Sequence, residues 1–159
     1  PLIQSQSLGT SRDKFRHGMP QFTDAVEGIV HEPTQTEGRG LDLTVAEVHE
    51  VTAPGRVDFG GGELEDAETA PHPSTFRNPD DDYEWWHLDA GQYLLAYNES
   101  LVDGVKATVQ PREAILASGA FHPTLTRESL DAVPLSVGGA GIRLKENARV
   151  STVVAVEES

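Results

Sequence analysis

The twelve residues VQPREAILASGA, at positions 109–120, contain the change of backbone structure around which the rest of the chain is organised. Val109 ends an alternating stretch, Pro111 stops it, and a short helix near residues 112–118 closes at Gly119. Arg112 is therefore expected where a strand passes into a helix. Exposed backbone N–H groups beside a guanidinium can hold an anion at such a place. The alternative interpretation is a plain connector with a surface arginine.

Outward from this stretch, the chain is predicted to form short strands separated by turns. Leu41, Leu43 and Val45 alternate with polar residues, which is the period of a half-buried strand. Further strands are predicted over residues 48–52, 56–59, 83–88, 93–97, 105–109, 134–137, 142–144 and 148–156. Many short strands with turn residues between them and one short helix near 112–118 predict an all-β barrel or jelly roll.

The sequence also suggests how the chain is divided. Residues 1–21 are polar and weakly periodic, and we expect a flexible N-terminal arm there. Residues 22–159 are expected to form a single β domain. Within it, residues 22–30 suit either a short helix or an edge strand. Residues 63–82 are acidic and rich in proline, which is typical of a surface loop.

The charge is strongly acidic. Aspartate and glutamate total 26 against 12 lysines and arginines, for a net charge of -14. We interpret this surface as an adaptation to a salt-rich cytoplasm, where high ionic strength screens self-repulsion. The same charge argues against nucleic acid as a partner, because that binding needs a basic surface. No apolar run approaches membrane length and no signal peptide is seen, so we expect a cytoplasmic protein with no membrane partner.

Metal sites find little support in the sequence. Cysteine is absent, which excludes thiolate ligands. Residues 80–82 are three aspartates, but they lack the spacing of a calcium loop and are expected to be solvated. A jelly roll with a histidine metal site is the weakest hypothesis, because the histidines are scattered without ligand spacing. We therefore predict no metal bound by protein side chains alone.

Five segments in order resemble archaeal members of the dUTPase and dCTP deaminase family. Residues 40–45 resemble the first motif, a Gly-x-Asp-Leu strand, and residues 52–57 resemble the turn that follows it. Residues 88–99 resemble the family's Leu-x-Pro-Gly-x-Tyr strand. Pro111-Arg112, with Leu116 and Gly119, resembles the second motif, Pro-Arg-Ser-Ser-Leu. Residues 146–150 resemble the final barrel strand.

The resemblance implies a distorted jelly roll that closes as a homotrimer, with active sites between subunits. It implies hydrolysis of dUTP to dUMP and pyrophosphate, or deamination of dCTP, with Mg²⁺ carried by the triphosphate. By the same resemblance, Arg112 and Arg149 would contact phosphates and Asp42 would organise the site. Thr124 is included among the predicted substrate-binding residues.

The chain departs from the family pattern at positions that matter for chemistry. Glu113 and Ala114 replace the two serines of the second motif, and the third motif is shortened and rewritten over residues 122–131. Thr152 replaces a glutamine of the last motif. Glu128 and Asp131 are the remaining candidates for the catalytic base. Two hypotheses follow: an active enzyme, or a degenerate paralogue that acts as a nucleotide-binding, regulatory or structural trimer subunit.

Overall fold

The computed structural model describes residues 22–159, which form twelve strands and three short helices. The strands are β1 (Val26–Glu27), β2 (Leu41–Ala53), β3 (Glu68–Pro71), β4 (Trp85–Leu88), β5 (Gly91–Tyr97), β6 (Ser100–Leu101), β7 (Val105–Pro111), β8 (Ala120–Phe121), β9 (Leu125–Arg127), β10 (Val133–Val137), β11 (Ile142–Lys145) and β12 (Arg149–Glu158). The helices are α1 (Phe22–Ala25), α2 (Glu32–Gln35) and α3 (Glu113–Ser118).

One antiparallel sheet carries most of the structure. Its strand order is β8-β10-β5-β2-β12-β7-β9, and β3 pairs with the far half of β2. Two further ribbons pair β11 with β4 and β1 with β6. The central strands β2 and β12 come from opposite ends of the described chain, so the sheet brings distant segments side by side.

Alternation along the strands builds the core. The inward positions of the middle strands are Tyr93, Leu95 and Tyr97 on β5, Val105, Ala107 and Val109 on β7, and Val133, Leu135 and Val137 on β10. Leu41, Leu43 and Val45 of β2 are fully buried against them. Period-two burial along these strands agrees with the predicted all-β jelly roll, which is confirmed.

Three segments differ from the sequence prediction. One strand, β2, replaces the two predicted over residues 41–45 and 48–52, because a bulge between Val45 and Glu47 shifts its register against β5 without ending it. The predicted strand at residues 56–59 is a single bridge, between Arg56 and Glu65. The predicted loop at 63–82 contains β3, which joins the sheet through backbone hydrogen bonds and has no apolar alternation.

The predicted helix near residues 112–118 is α3. Arg112 is its N-cap in extended conformation, and Gly119 ends it at φ 110° with its N–H donating to the Ile115 carbonyl. The segment 22–30 begins as helix α1 and continues as edge strand β1, so both alternatives occur in part. Helix α2 was not predicted. The predicted arm at residues 1–21 lies outside the described residues, and the division into arm and domain stays a prediction.

Candidate functional site

An open cleft of about 680 Å³ lies where the start of β2, the end of β7 and the start of β12 meet. It is lined by Glu37, Gly38, Arg39, Gly40, Asp42, Gln110, Pro111, Arg112, Glu113, Arg149, Thr152 and Val154. Strand pairing assembles it: Asp42 lies opposite Thr152, and Thr152 lies opposite Gln110 on the other side of β12. Sequence segments about a hundred residues apart thus form one wall.

Asp42 is the centre of this wall. Its carboxylate is 3.3 Å from Nε of Arg112 and 3.1 Å from Nη1 of Arg149, both measured to Oδ2. The Thr152 hydroxyl donates to the other oxygen, Oδ1, at 2.8 Å. Two cations and a hydroxyl donor fix the orientation of this carboxylate. The structure therefore brings together the three predicted residues Asp42, Arg112 and Arg149.

The two arginines are also tied to other groups. Arg149 Nη1 lies 2.9 Å from the Glu37 carboxylate and donates to the Thr34 carbonyl at 3.2 Å. Arg112 Nη1 donates to the Arg149 carbonyl at 3.4 Å. Two guanidiniums therefore face two carboxylates, so their charges balance. Each guanidinium has five N–H donors, and some of these remain available to a ligand.

Backbone contacts fix Arg112 in place. Its N–H donates to the Val150 carbonyl at 3.1 Å, which attaches the start of α3 to β12. Ile115 is the buried residue of α3 and anchors the helix to the core. Glu113 follows directly; its side chain lines the cleft, is exposed, and has no ion pair within residues 22–159. Among residues 22–159, an unpaired carboxylate therefore occupies the position where the pattern that the chain resembles has a serine.

Three predicted site residues lie elsewhere in this chain. Thr124, Glu128 and Asp131 are exposed, and none of them lines the cleft. They flank β9, which lies on the side of β7 away from β12. Asp131 accepts a hydrogen bond from the Ser129 hydroxyl at 3.1 Å. Their substrate-binding and catalytic roles stay predictions.

Three polar residues of the cleft were missed by the sequence reasoning: Glu37, Arg39 and Gln110. Arg39 lies between two glycines and three residues before Asp42, and Gln110 directly precedes the Pro111-Arg112 turn. The glycines beside Arg39 and the turn after Gln110 were the sequence features that could have indicated these residues. Thr152 was identified only as a residue that replaces a glutamine of the last motif, and its hydrogen bond to Asp42 was not predicted.

A chain of neutral hydrogen bonds lies beneath the cleft wall. His122 Nδ1 is 2.9 Å from the Pro123 carbonyl, which only accepts, so this nitrogen carries the proton. Nε2 is then the acceptor for the Ser151 hydroxyl at 2.8 Å, and the Tyr97 hydroxyl donates to Ser151 at 2.6 Å. Burial lowers the pKa of His122, and burial raises the pKa of Tyr97 to about 12. Both groups are therefore neutral near pH 7.

Within residues 22–159, no three histidine, aspartate or glutamate side chains are grouped so as to hold a metal ion. None of the helices in that range is long and apolar enough to cross a membrane.

Comparison with known proteins gives concordant results. The chain is 30% identical over 147 residues to a probable deoxyuridine 5'-triphosphate nucleotidohydrolase of Methanosarcina acetivorans, covering 88% of this chain and 82% of that protein. It is 28% identical to a protein of the same name from Methanosarcina mazei, covering 79% and 74%. No protein-family model matches.

The solved structure of 2'-deoxycytidine 5'-triphosphate deaminase from Agrobacterium tumefaciens has a similar fold. It superposes with a TM-score of 0.50 at 14% identity, over 89% of this chain. The aligned part is 46% of that chain, so the protein described here spans about half the length of the deaminase. The identity is too low to carry function, and the likeness concerns the fold alone.

Proposed function

Because the chain belongs to the dUTPase and dCTP deaminase family, we propose that it hydrolyses dUTP to dUMP and pyrophosphate. The observation that carries the proposal is the joining of Asp42 to Arg112 and Arg149 within an open cleft. All three residues lie in segments that match the family motifs. Two archaeal proteins that the chain resembles are named probable deoxyuridine 5'-triphosphate nucleotidohydrolases.

Each residue of the wall has a role in this proposal. The free N–H groups of Arg112 and Arg149 donate to phosphate oxygens of the substrate. Asp42 holds both guanidiniums in a fixed geometry, so that they need no reorganisation when the charge on phosphate develops. The Thr152 hydroxyl fixes the orientation of Asp42.

The catalytic base is proposed to come from a neighbouring subunit of a homotrimer. Glu128 and Asp131 are exposed carboxylates outside the cleft of their own chain. A second copy would carry its β9 segment, with Thr124, to this cleft. There a carboxylate would take the proton of the attacking water while the bond to pyrophosphate breaks.

Mg²⁺ is proposed to enter with the triphosphate. This ion keeps several waters and is usually held by substrate phosphates and one or two carboxylates. Within residues 22–159 no group of side chains could hold a metal ion alone, which suits an ion that arrives already bound to phosphate oxygens. The chemistry that the ion supplies is neutralisation of phosphate charge.

The decisive experiment is a product assay. Purified protein in high salt would be incubated with dUTP or dCTP and Mg²⁺, with detection of pyrophosphate and of uracil nucleotides. Pyrophosphate and dUMP from dUTP are the expected products. Uracil product from dCTP would instead indicate deamination. Nucleotide binding by calorimetry without any product would contradict the enzyme proposal and favour the degenerate paralogue.

Adaptation to a salt-rich cytoplasm is a further part of the proposal. With a net charge of -14, self-repulsion in dilute buffer is expected to destabilise the compact state. The unfolding midpoint should rise as KCl is raised from about 0.1 M, where the Debye length is about 10 Å, to about 1 M, where it is about 3 Å. A midpoint independent of KCl would contradict this part.

A further inference from the structure

Arg39 differs from the other arginines of the cleft in having no partner in the part of the chain that the structure describes. It lines the cleft and is exposed, and within residues 22–159 its guanidinium makes no ion pair and no hydrogen bond. Arg112 and Arg149 are both engaged by Asp42, and Arg149 also by Glu37. The positive charge of those two is balanced within the wall, whereas the charge of Arg39 is not.

The backbone at Arg39 is held against the cleft wall. Gly40 is buried, and a Cβ added to it would lie only 2.1 Å from the Val153 carbonyl oxygen of β12 and 3.0 Å from the Thr152 side chain. No other residue type fits this approach, so Gly40 seats the loop directly on β12. The Arg39 side chain begins next to this fixed point. On its other side, a Cβ added to Gly38 would meet no heavy atom within 4 Å.

The remaining unpaired charge of the cleft is negative. Glu113 lines the cleft without an ion pair in the described chain, and it does not pair with Arg39. With the Asp42 cluster balanced, Arg39 and Glu113 set the net charge that an incoming anion meets. Removing Arg39 would leave the cleft with an excess carboxylate, which repels phosphate.

We infer that Arg39 is a phosphate-binding residue of this cleft, supplying the unbalanced positive charge that Arg112 and Arg149 do not. Its planar fork suits two phosphate oxygens. The inference rests on the proposed function in that it takes the polyphosphate part of a nucleotide as the ligand. It assigns binding to Arg39 and leaves the chemical step to other residues.

The test measures binding without turnover. Pyrophosphate and the α,β-imido analogue of dUTP, each with Mg²⁺, would be titrated into wild-type protein, Arg39→Ala, Arg39→Lys and Arg143→Ala by calorimetry. Arg143 is the matched control, because it is an exposed strand arginine outside this cleft. Equal unfolding midpoints would show that the variants are folded.

Arg39→Ala should weaken both ligands by about tenfold to a hundredfold, the range for hydrogen bonds to charged groups. Arg39→Lys should restore part of the affinity, and Arg143→Ala should bind as the wild type does. Unchanged affinity in Arg39→Ala, or an equal loss in Arg143→Ala, would overturn the inference. So would a wild-type protein that binds neither ligand. Binding through Arg39 without pyrophosphate release from dUTP would overturn only the proposed hydrolysis.

Discussion

Two carboxylate clusters lie next to each other on strand β2, and they are built from different donors. At residue 42 the carboxylate belongs to the strand, and two arginines bind it beside an open cleft. At residue 44 the strand supplies donors instead, and the carboxylate that accepts them is that of Glu99, which is only 3% exposed. Glu99 accepts hydrogen bonds from Gln35 Nε2 at 2.8 Å, from the Thr44 N–H at 2.9 Å and from the Thr44 hydroxyl at 2.6 Å.

The difference separates stability from binding. The donors around Glu99 are an amide, a backbone N–H and a hydroxyl, and they enclose the carboxylate, so little donor capacity faces solvent. The donors around Asp42 are guanidiniums with spare N–H groups at a surface opening. Substitutions in the closed Glu99 cluster are expected to change the free energy of unfolding, and substitutions in the open Asp42 cluster are expected to change activity.

The largest effect is expected for Glu99→Leu. This change leaves one N–H of the Gln35 amide and both Thr44 donors buried without an acceptor, while the other Gln35 N–H still donates to the Asp42 carbonyl. It should cost roughly 3–5 kcal/mol of stability. Urea unfolding monitored by circular dichroism measures it. Glu63→Leu, at an exposed glutamate, is the control and should stay within about 0.5 kcal/mol of wild type. A similar small change in Glu99→Leu would show that the closed cluster is not needed for stability.

Asp42→Asn tests the open cluster. The amide keeps the shape but removes the charge that holds both guanidiniums, so kcat/KM for dUTP should fall by about a hundredfold. The free energy of unfolding should fall by less than in Glu99→Leu, because the side chains of Arg112 and Arg149 are 27% and 25% exposed and water can solvate them. Rates of pyrophosphate release and urea midpoints give the two values. A large stability loss with normal activity per folded molecule would reverse the distinction between the clusters.

The hydrogen-bond chain at His122 predicts a pH effect on stability. Because burial lowers the folded-state pKa below the ordinary 6.5, the unfolded chain takes up a proton that the folded chain does not. The contribution of His122 to the free energy of unfolding is therefore fully present above about pH 6.5. It falls as the pH drops towards the lowered pKa, by at most about 1.4 kcal/mol per pH unit. His122→Gln should flatten this dependence in unfolding experiments between pH 7.5 and 5.5. An identical slope in the variant would assign the effect to other groups.

The smallest effect is expected for Glu113→Ser. Removing the unpaired carboxylate from the cleft should tighten pyrophosphate binding about threefold to tenfold, since a surface charge pair in water is worth about 1 kcal/mol. Calorimetry in low and high salt checks this, and the gain should shrink in high salt. Glu63→Ser serves as the charge-matched control outside the cleft. Weaker binding in Glu113→Ser would instead indicate that this carboxylate contacts Mg²⁺.

The sequence predicted those features that depend on local pattern or motif order. Alternation at Leu41, Leu43 and Val45 identified the core face of β2, and Pro111 with Gly119 bounded the one helix that was predicted. Asp42, Arg112 and Arg149 were selected by resemblance, and the structure brings them together.

The features that were missed depend on contacts between distant segments. Gln35 lies on a one-turn helix and contacts Glu99 sixty-four residues away, and no period along the chain links the two. Arg39 belongs to no periodic element, and its place in the cleft follows from the close approach of Gly40 to β12. The continuation of β2 past Val45 was missed because the bulge interrupts its alternation.

The spacing of the two clusters has a consequence for strand alignment. A slip of β2 by two residues would keep every apolar side chain on the core face, since side chains alternate with period two. Hydrophobic burial therefore cannot reject this misalignment. The slip would take Asp42 from Thr152 and from the arginines, and Thr44 from Glu99, and both carboxylates would lose their donors together. The two clusters form together in a single register of the central strand. The geometry of the substrate cleft therefore depends on that register.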